Sequence, residues 1–215
     1  MSDVGGWDTV WLGFEKPANV GWTRAIAGAP NEVLGSGGMT LTQAAGESQV
    51  YTRTLAGLAA APNAGILFVG QVSITSGQAA SVSLRPSSAG ADYSIRLEIS
   101  TTGLRIYDVA AAAYIGAETP FATGQANGVV FMICIDAPSG YGGGAVGRVR
   151  CKVRAGGVAG PNADRQWTVV TGSESLAQGA VGVSLTEWGQ YTAAAGVAVW
   201  RWAGASAGIY IAGAN

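Results

Sequence analysis

Residues 148–154 read Arg-Val-Arg-Cys-Lys-Val-Arg. Basic side chains stand at Arg148, Arg150, Lys152 and Arg154, and apolar ones at Val149, Cys151 and Val153. Strict alternation places one class on each side of an extended chain, because successive side chains of a strand point to opposite faces. One apolar and one solvated face is the signature of a strand in an antiparallel sheet packed on one side only. The preceding run, 129–135, is continuously apolar, and a glycine-rich stretch containing Gly142, Gly143 and Gly144 joins the two. The pair reads as a hairpin. Anchoring it with Asp136 opposite Gly147 sets Cys134 against Val149 and Met132 against Cys151, with both cysteines on one face as buried free thiols.

Similar strand-like runs recur at 9–14, 39–43, 49–55, 66–74, 80–85, 93–99, 104–109, 166–171, 181–186, 197–202 and 208–211. Turn residues separate them: Pro86-Ser87-Ser88, Thr102-Gly103, Pro138-Ser139-Gly140, Gly156-Gly157 and Gly160-Pro161-Asn162. Residues 93–99 and 104–107 form a second hairpin pattern, apolar at Tyr93, Ile95, Leu97 and Ile99. Alanine-rich 55–61 and 110–113 are long enough for a single helical turn each. Many short strands at close spacing predict an all-β sandwich or jelly roll. No linker divides the chain, so 31–215 is read as one β-sandwich domain and 1–30 as an irregular N-terminal arm or first strand.

Only 12% of the residues are charged and the net charge is −1. Nothing in this balance attracts nucleic acid or an anionic membrane. The low charge, with 34 glycines among 215 residues, suggests a surface that meets other protein. The first residues, MSDVGGWDTVW, lack the basic and apolar regions of a secretory signal. The longest apolar run, 129–135, falls far short of the ~20 residues that span a bilayer. A protein made in the cytoplasm, with no membrane insertion, is expected.

The chain has no histidine, which removes Ser-His-Asp, Cys-His and His-zinc chemistry. Glycosidase chemistry needs paired acids, and an E-x-D-x-x-E strand is absent; Glu98, Asp108, Asp136 and Glu187 each lack an acid two residues away. Gly142-Gly-Gly144-Ala-Val-Gly147 matches G-x-G-x-x-G, but it opens a strand rather than the helix that a pyrophosphate needs. Neither Lys16 nor Lys152 follows a glycine, so no Walker A lysine exists. A non-enzymatic protein is expected.

Binding candidates remain. Trp188 and Tyr191 flank Gly189 in an expected loop and suit stacking on sugar rings. Arg150, on the basic face, could add a charged contact; the plainer reading of that face is solvated, with its alkyl stems covering Phe131, Ile133 and Ile135. Trp200 and Trp202 share a face by alternation and read as core. Trp7, Trp11 and Trp22, near the N-terminus, suit anchoring into a neighbouring subunit.

The order of elements carries a resemblance. A hairpin of the form YSIRLEISTTGLRIYD, the strand VVFMICID, the alternating RVRCKVRAGG and a closing GVAVWRW resemble the concanavalin-A-like, laminin-G-like jelly roll over about 66–202. The resemblance implies two curved antiparallel sheets, ligands at the concave face or rim loops, and in many members a rim calcium. No D-x-D or D-x-N loop maps such a calcium here, so no cofactor is assigned and calcium stays open. In style, an Ala/Gly-rich chain without a signal also resembles accessory virion proteins of tailed phages and gene-transfer particles. These implications predict a virion component in capsid decoration, tail or fibre, contacting other virion proteins or copies of itself as a homo-oligomer, and in some settings a cell-surface glycan. The alternative is a free carbohydrate-binding module, and a third is a glycan-active enzyme with relocated acids.

Overall fold

The computed structural model describes residues 9–54, 66–86, 95–108, 111–121, 128–135, 147–156, 167–171, 177–178, 183–190 and 195–207. Apart from one 3-10 turn at Pro17–Val20, every regular element among them is a strand. In chain order these are β1 (Thr9–Trp11), β2 (Thr23–Ala27), β3 (Asn31–Gly35), β4 (Gly38–Gln43), β5 (Ser48–Thr54), β6 (Ile66–Pro86), β7 (Ile95–Ser100) and β8 (Gly103–Asp108). They continue as β9 (Ala113–Pro120), β10 (Val129–Ile135), β11 (Gly147–Ala155), β12 (Thr168–Val169), β13 (Ala177–Gln178), β14 (Val183–Gln190) and β15 (Gly196–Ala207). The result is a two-sheet antiparallel jelly-roll sandwich, as the alternation predicts.

The long strand β6 belongs to both sheets. Its first part, Ile66 to Gly77, pairs with β10 on one side and β15 on the other. Its second part, Gln78 to Pro86, pairs with β7 and β14. The turn from one sheet to the next falls at Gly77, whose φ is +68°; a Cβ there would run into the carbonyl of Ala195. Only glycine meets both conditions. The sequence pattern suggested two strands, 66–74 and 80–85, where the chain makes one continuous strand with a corner.

The first sheet runs β12–β11–β10–β6–β15–β4–β3, with β1 paired to the far end of β15 and β13 to the start of β11. The second runs β9–β8–β7–β6–β14–β5–β2. Strands β1 and β2 therefore draw the N-terminal segment into the sandwich. The alanine run near 110 forms a turn at Ala111 and Ala112 that leads into β9. Residues 55–61 and 208–211 lie outside the described residues.

Between the sheets lies an aromatic core. Trp188 stacks on Trp11 at 4.8 Å and on Tyr51 at 4.7 Å, meets Trp22 edge-on at 5.9 Å, and tilts against Trp200 at 4.8 Å. Phe131 meets both Phe68 and Trp200 edge-on. Offset and edge-on rings at these distances add to the apolar area they remove from water. Leu97, Ile99, Leu104, Ile106, Val129 and Ile133 extend the core toward the ends of both sheets.

The hairpin of β10 and β11 shows how register is decided. Ile133 stands opposite Cys151, Cys134 opposite Arg150 and Ile135 opposite Val149. This is one residue away from the pairing expected from a turn anchored at Asp136 and Gly147. The slip follows from the core: it sets Val149, Cys151 and Val153 against Ile135, Ile133 and Phe131, so two apolar faces coincide. Cys151 is fully buried. Cys134 is out of step with it, and the basic positions stand opposite Val130, Met132 and Cys134 rather than over the isoleucines.

A second irregularity separates Trp200 from Trp202. The register of β15 against β6 shifts between them, pairing Trp200 with Val72 and Trp202 with Gln71. Trp200 is buried, whereas Trp202 is half-buried and donates its indole N–H to Gln71 Oε1 at 2.9 Å. A bulge reverses which side of the sheet the next residue faces, so the two tryptophans do not share a face.

Because Trp188 touches four other rings, Trp188→Ala is expected to lower stability by about 3–5 kcal/mol. Urea unfolding measures this, and a loss under about 1 kcal/mol would contradict the central position of this ring.

Candidate functional site

In β7 and β8 the residues Leu97, Ile99, Leu104 and Ile106 are buried in the core. Alternation then turns Arg96, Glu98, Arg105 and Tyr107 to the outer face of the second sheet. Strand β9 adds Tyr114 directly opposite Tyr107, which is itself opposite Arg96. The row continues across the sheet as Ser83, Glu187, Thr52 and Thr23. Register shifts between Leu104 and Ile106, where β9 carries extra residues, and this irregular stretch includes Glu118.

The side chains of this face interlock. The Tyr107 and Tyr114 rings meet edge-on at 5.2 Å. The Arg96 guanidinium lies 4.5 Å from the centre of the Tyr107 ring, and that of Arg105 lies 3.9 Å from the centre of Tyr114. Guanidinium–ring contacts of this kind hold both partners in place. Glu98 is only 6% exposed although it is on the outer face. Its Oε1 accepts from Arg96 Nε at 2.9 Å and Nη2 at 2.8 Å, while Oε2 accepts from the Tyr114 hydroxyl at 2.7 Å. A carboxylate this deep needs such partners, because an unpaired buried charge is strongly destabilising. Beside it, Glu98, Ser100, Gly103, Arg105 and Glu118 line a small cleft. Glu118 Oε1 accepts from Thr102 Oγ1 at 3.0 Å.

Rigid tyrosines flanked by donors and acceptors can hold a polyhydroxylated ligand: the rings receive C–H groups, and the charged groups fix hydroxyls. Tyr114 keeps 39% of its surface exposed, so a ligand can reach it.

The residues singled out in sequence fall elsewhere. Trp188 lies within strand β14 and is fully buried. It is not a loop aromatic open to a sugar, because its ring is needed to fill the space between the sheets. Tyr191 lies outside the described residues. Arg150 sits in β11 of the other sheet, at the register position opposite Cys134. Trp188 and Arg150 thus stand on different sheets. Trp11 and Trp22 are buried against Trp188 of the same chain, which corrects their reading as anchors for a neighbour; Trp7 lies outside the described residues. On the basic strand, Lys152 and Arg154 are half-buried, and the Arg154 guanidinium lies 5.3 Å from the centre of the Trp167 ring. Among the described residues no group of three His, Cys, Asp or Glu side chains could hold a metal ion. No helix among them is long and apolar enough to cross a membrane.

Tyr114 is held in its protonated form. Its hydrogen bond to Glu98 is the main cause, and burial and the Glu98 charge act the same way, so its pKa is raised above the ordinary 10.0. The resulting stabilisation is fully present below pH 10 and is lost as pH rises through the raised value. Tyr51 is raised further, first by burial and then by its hydrogen bond to Glu32. Alkaline titration of phenolate absorbance is expected to show late-ionising tyrosines in the folded protein. Tyr114→Phe removes one of them and costs on the order of 1 kcal/mol below pH 10. If the phenol lost in Tyr114→Phe is one that ionises in the ordinary range, with the late-ionising set unchanged, the Tyr114–Glu98 hydrogen bond is refuted.

No family model matches the sequence, and no curated protein matches it significantly. Solved structures do match along nearly the whole chain. The carbohydrate recognition domain of Emp46p, in a potassium-bound form, aligns with a TM-score of 0.55 at 10% identity, covering 92% of this chain and 94% of that one. A Bacillus subtilis protein of unknown function with a galectin-like fold aligns at 0.54 and 11% identity, covering 96% and 99%. A conserved carbohydrate esterase from Shiga toxin-encoding bacteriophage phi24B aligns at 0.52 and 15% identity, covering 93% and 97%. At these identities the likeness is one of fold, and the chain has the jelly-roll sandwich of lectin-like domains.

Proposed function

We propose that the protein is a non-enzymatic, glycan-binding module whose ligand rests on the outer face of β7, β8 and β9. The observation that carries this reading is the exposed Tyr114 ring set among Tyr107, Arg96, Arg105 and the buried Glu98. Fold kinship with the Emp46p carbohydrate recognition domain supports it. A binding role suits this face better than catalysis, because both oxygens of Glu98 are engaged by Arg96 and Tyr114. A nucleophile or general acid needs an oxygen turned to the substrate.

Tyr107→Ala and Tyr114→Ala are each expected to weaken saccharide binding about tenfold, the worth of one ring contact, with an unchanged circular dichroism spectrum. Calorimetric titration measures this. Full affinity in both variants would place the site elsewhere.

A second reading, an accessory component of a virion made in the cytoplasm, is favoured by the opposite side of the sandwich. Strands β2 and β3 edge their respective sheets, and every residue of β2 is exposed. Ile26 and Val33 are each 53% exposed there, and Phe14 is 70% exposed. Unpaired strand edges with apolar side chains invite pairing with another protein. The bacteriophage origin of the esterase neighbour agrees with this setting. Light scattering is expected to show an oligomer that Ile26→Lys with Val33→Lys dissociates, with little change in Tm. A monomeric native protein would rule out self-assembly.

A further inference from the structure

We infer that the ligand of this face is a neutral sugar, one of whose hydroxyl groups enters the cleft between Arg105 and Glu118; acidic and sulfated sugars are excluded. The inference rests on the glycan-binding reading and specifies which saccharides satisfy it.

The argument starts from an unmet donor. Arg105 Nε is buried and has no hydrogen-bond acceptor among the described residues, although a buried polar atom without a partner is costly. The cleft that the Arg105 side chain helps to line has room for one water-sized group. Glu118 lines the same cleft, and among the described residues its carboxylate accepts one hydrogen bond, from Thr102 to Oε1. A group placed there should accept from Arg105 and donate to Glu118. A hydroxyl does both. A carboxylate or sulfate can only accept, is larger than the space, and would lie against the acids Glu98 and Glu118.

Local charge points the same way. Arg96 and Arg105 are offset by Glu98 and Glu118, and Arg96 is already committed to Glu98 at 2.8 Å. No surplus positive charge remains to compensate an anion for its lost hydration. Tyr114, with the Arg105 guanidinium over its ring, adjoins the cleft through Glu98 and Arg105. A pyranose ring resting on Tyr114 can therefore project one hydroxyl inward.

The test is binding of the full chain to an immobilised panel. The panel holds neutral hexose and N-acetylhexosamine oligosaccharides beside their sialylated, uronic-acid and sulfated counterparts. The native protein is expected to bind neutral members at least tenfold more tightly than acidic ones, with little change on adding salt. Glu118→Gln keeps the shape but weakens the acceptor, and should reduce neutral binding about tenfold while leaving the melting temperature in place. Preference for acidic sugars would overturn the inference and leave glycan binding standing. So would neutral binding that Tyr114→Ala removes but Glu118→Gln does not touch. Failure to bind any member, neutral or acidic, would overturn the glycan-binding reading itself and this inference with it.

Discussion

The Trp188 ring is the contact on which the two sheets depend. It projects from β14 of the second sheet and meets Trp200 from β15 of the first, Trp11 from β1, Trp22 from the segment leading into β2, and Tyr51 from β5. Strands distant in sequence are thus held by one side chain. Among the described residues the indole N–H groups of Trp22, Trp188 and Trp200 have no acceptor, so these three rings are held by area and ring geometry, while Trp11 and Tyr51 add hydrogen bonds to Glu15 and Glu32. Continuity of β6 through both sheets makes a joint between them, and the glycine at its corner lets the strand turn without losing its pairing to β15.

With the sandwich closed in this way, the character of the outer face follows by parity. Every apolar residue that β7 and β8 commit inward commits an arginine, glutamate, serine or tyrosine outward. Glu98 is then the demanding member, because its neighbours cover it. Arg96 and Tyr114 satisfy both oxygens, and the same bonds fix the tyrosine that a ligand would meet. Arg105 is held by its ring contact instead, and its Nε has no acceptor among the described residues. A site with every polar group satisfied would have little to offer a ligand; this one keeps a rigid frame and an unmet donor.

Much of this was legible in the sequence. The alternation of 148–154 and of the 93–107 hairpin identifies the sheet class and the inward residues, and it already places Arg96, Glu98, Arg105 and Tyr107 on one face. The remaining members of the cluster, Tyr114 and Glu118, are not legible in the same way, because they lie in β9, whose sequence AYIGAETP lacks a clean alternation. The irregularity in its pairing explains that, since a strand with extra residues cannot keep a period of two. The hairpin register differs by one residue from the one that its turn residues suggest, because the apolar faces decide register more strongly. Gly189 makes Trp188 resemble a loop residue in sequence. That glycine, at φ +144°, stands within the strand, where a side chain would run into Gln49.

The far edge of the sandwich is joined to the same core. Tyr51 stacks on Trp188 and donates its hydroxyl to Glu32 of β3; Gln49 Nε2 reaches the same carboxylate at 2.8 Å, and Arg24 Nε of β2 pairs with it at 3.1 Å. One acid on the first sheet thereby ties down the β2 and β5 side of the second. The tyrosine-and-arginine face lies at β7 to β9, whereas the exposed Ile26, Val33 and Leu34 lie at β2 and β3. In the second sheet, β9 and β2 are the opposite edges, separated by six strand spacings of about 4.8 Å, or roughly 29 Å. A neighbour covering the β2 and β3 edge would leave the tyrosine face open. A partner docked on the β2 and β3 edge and a ligand held on the tyrosine face would therefore use different edges of one sandwich, both supported by the ring cluster between them.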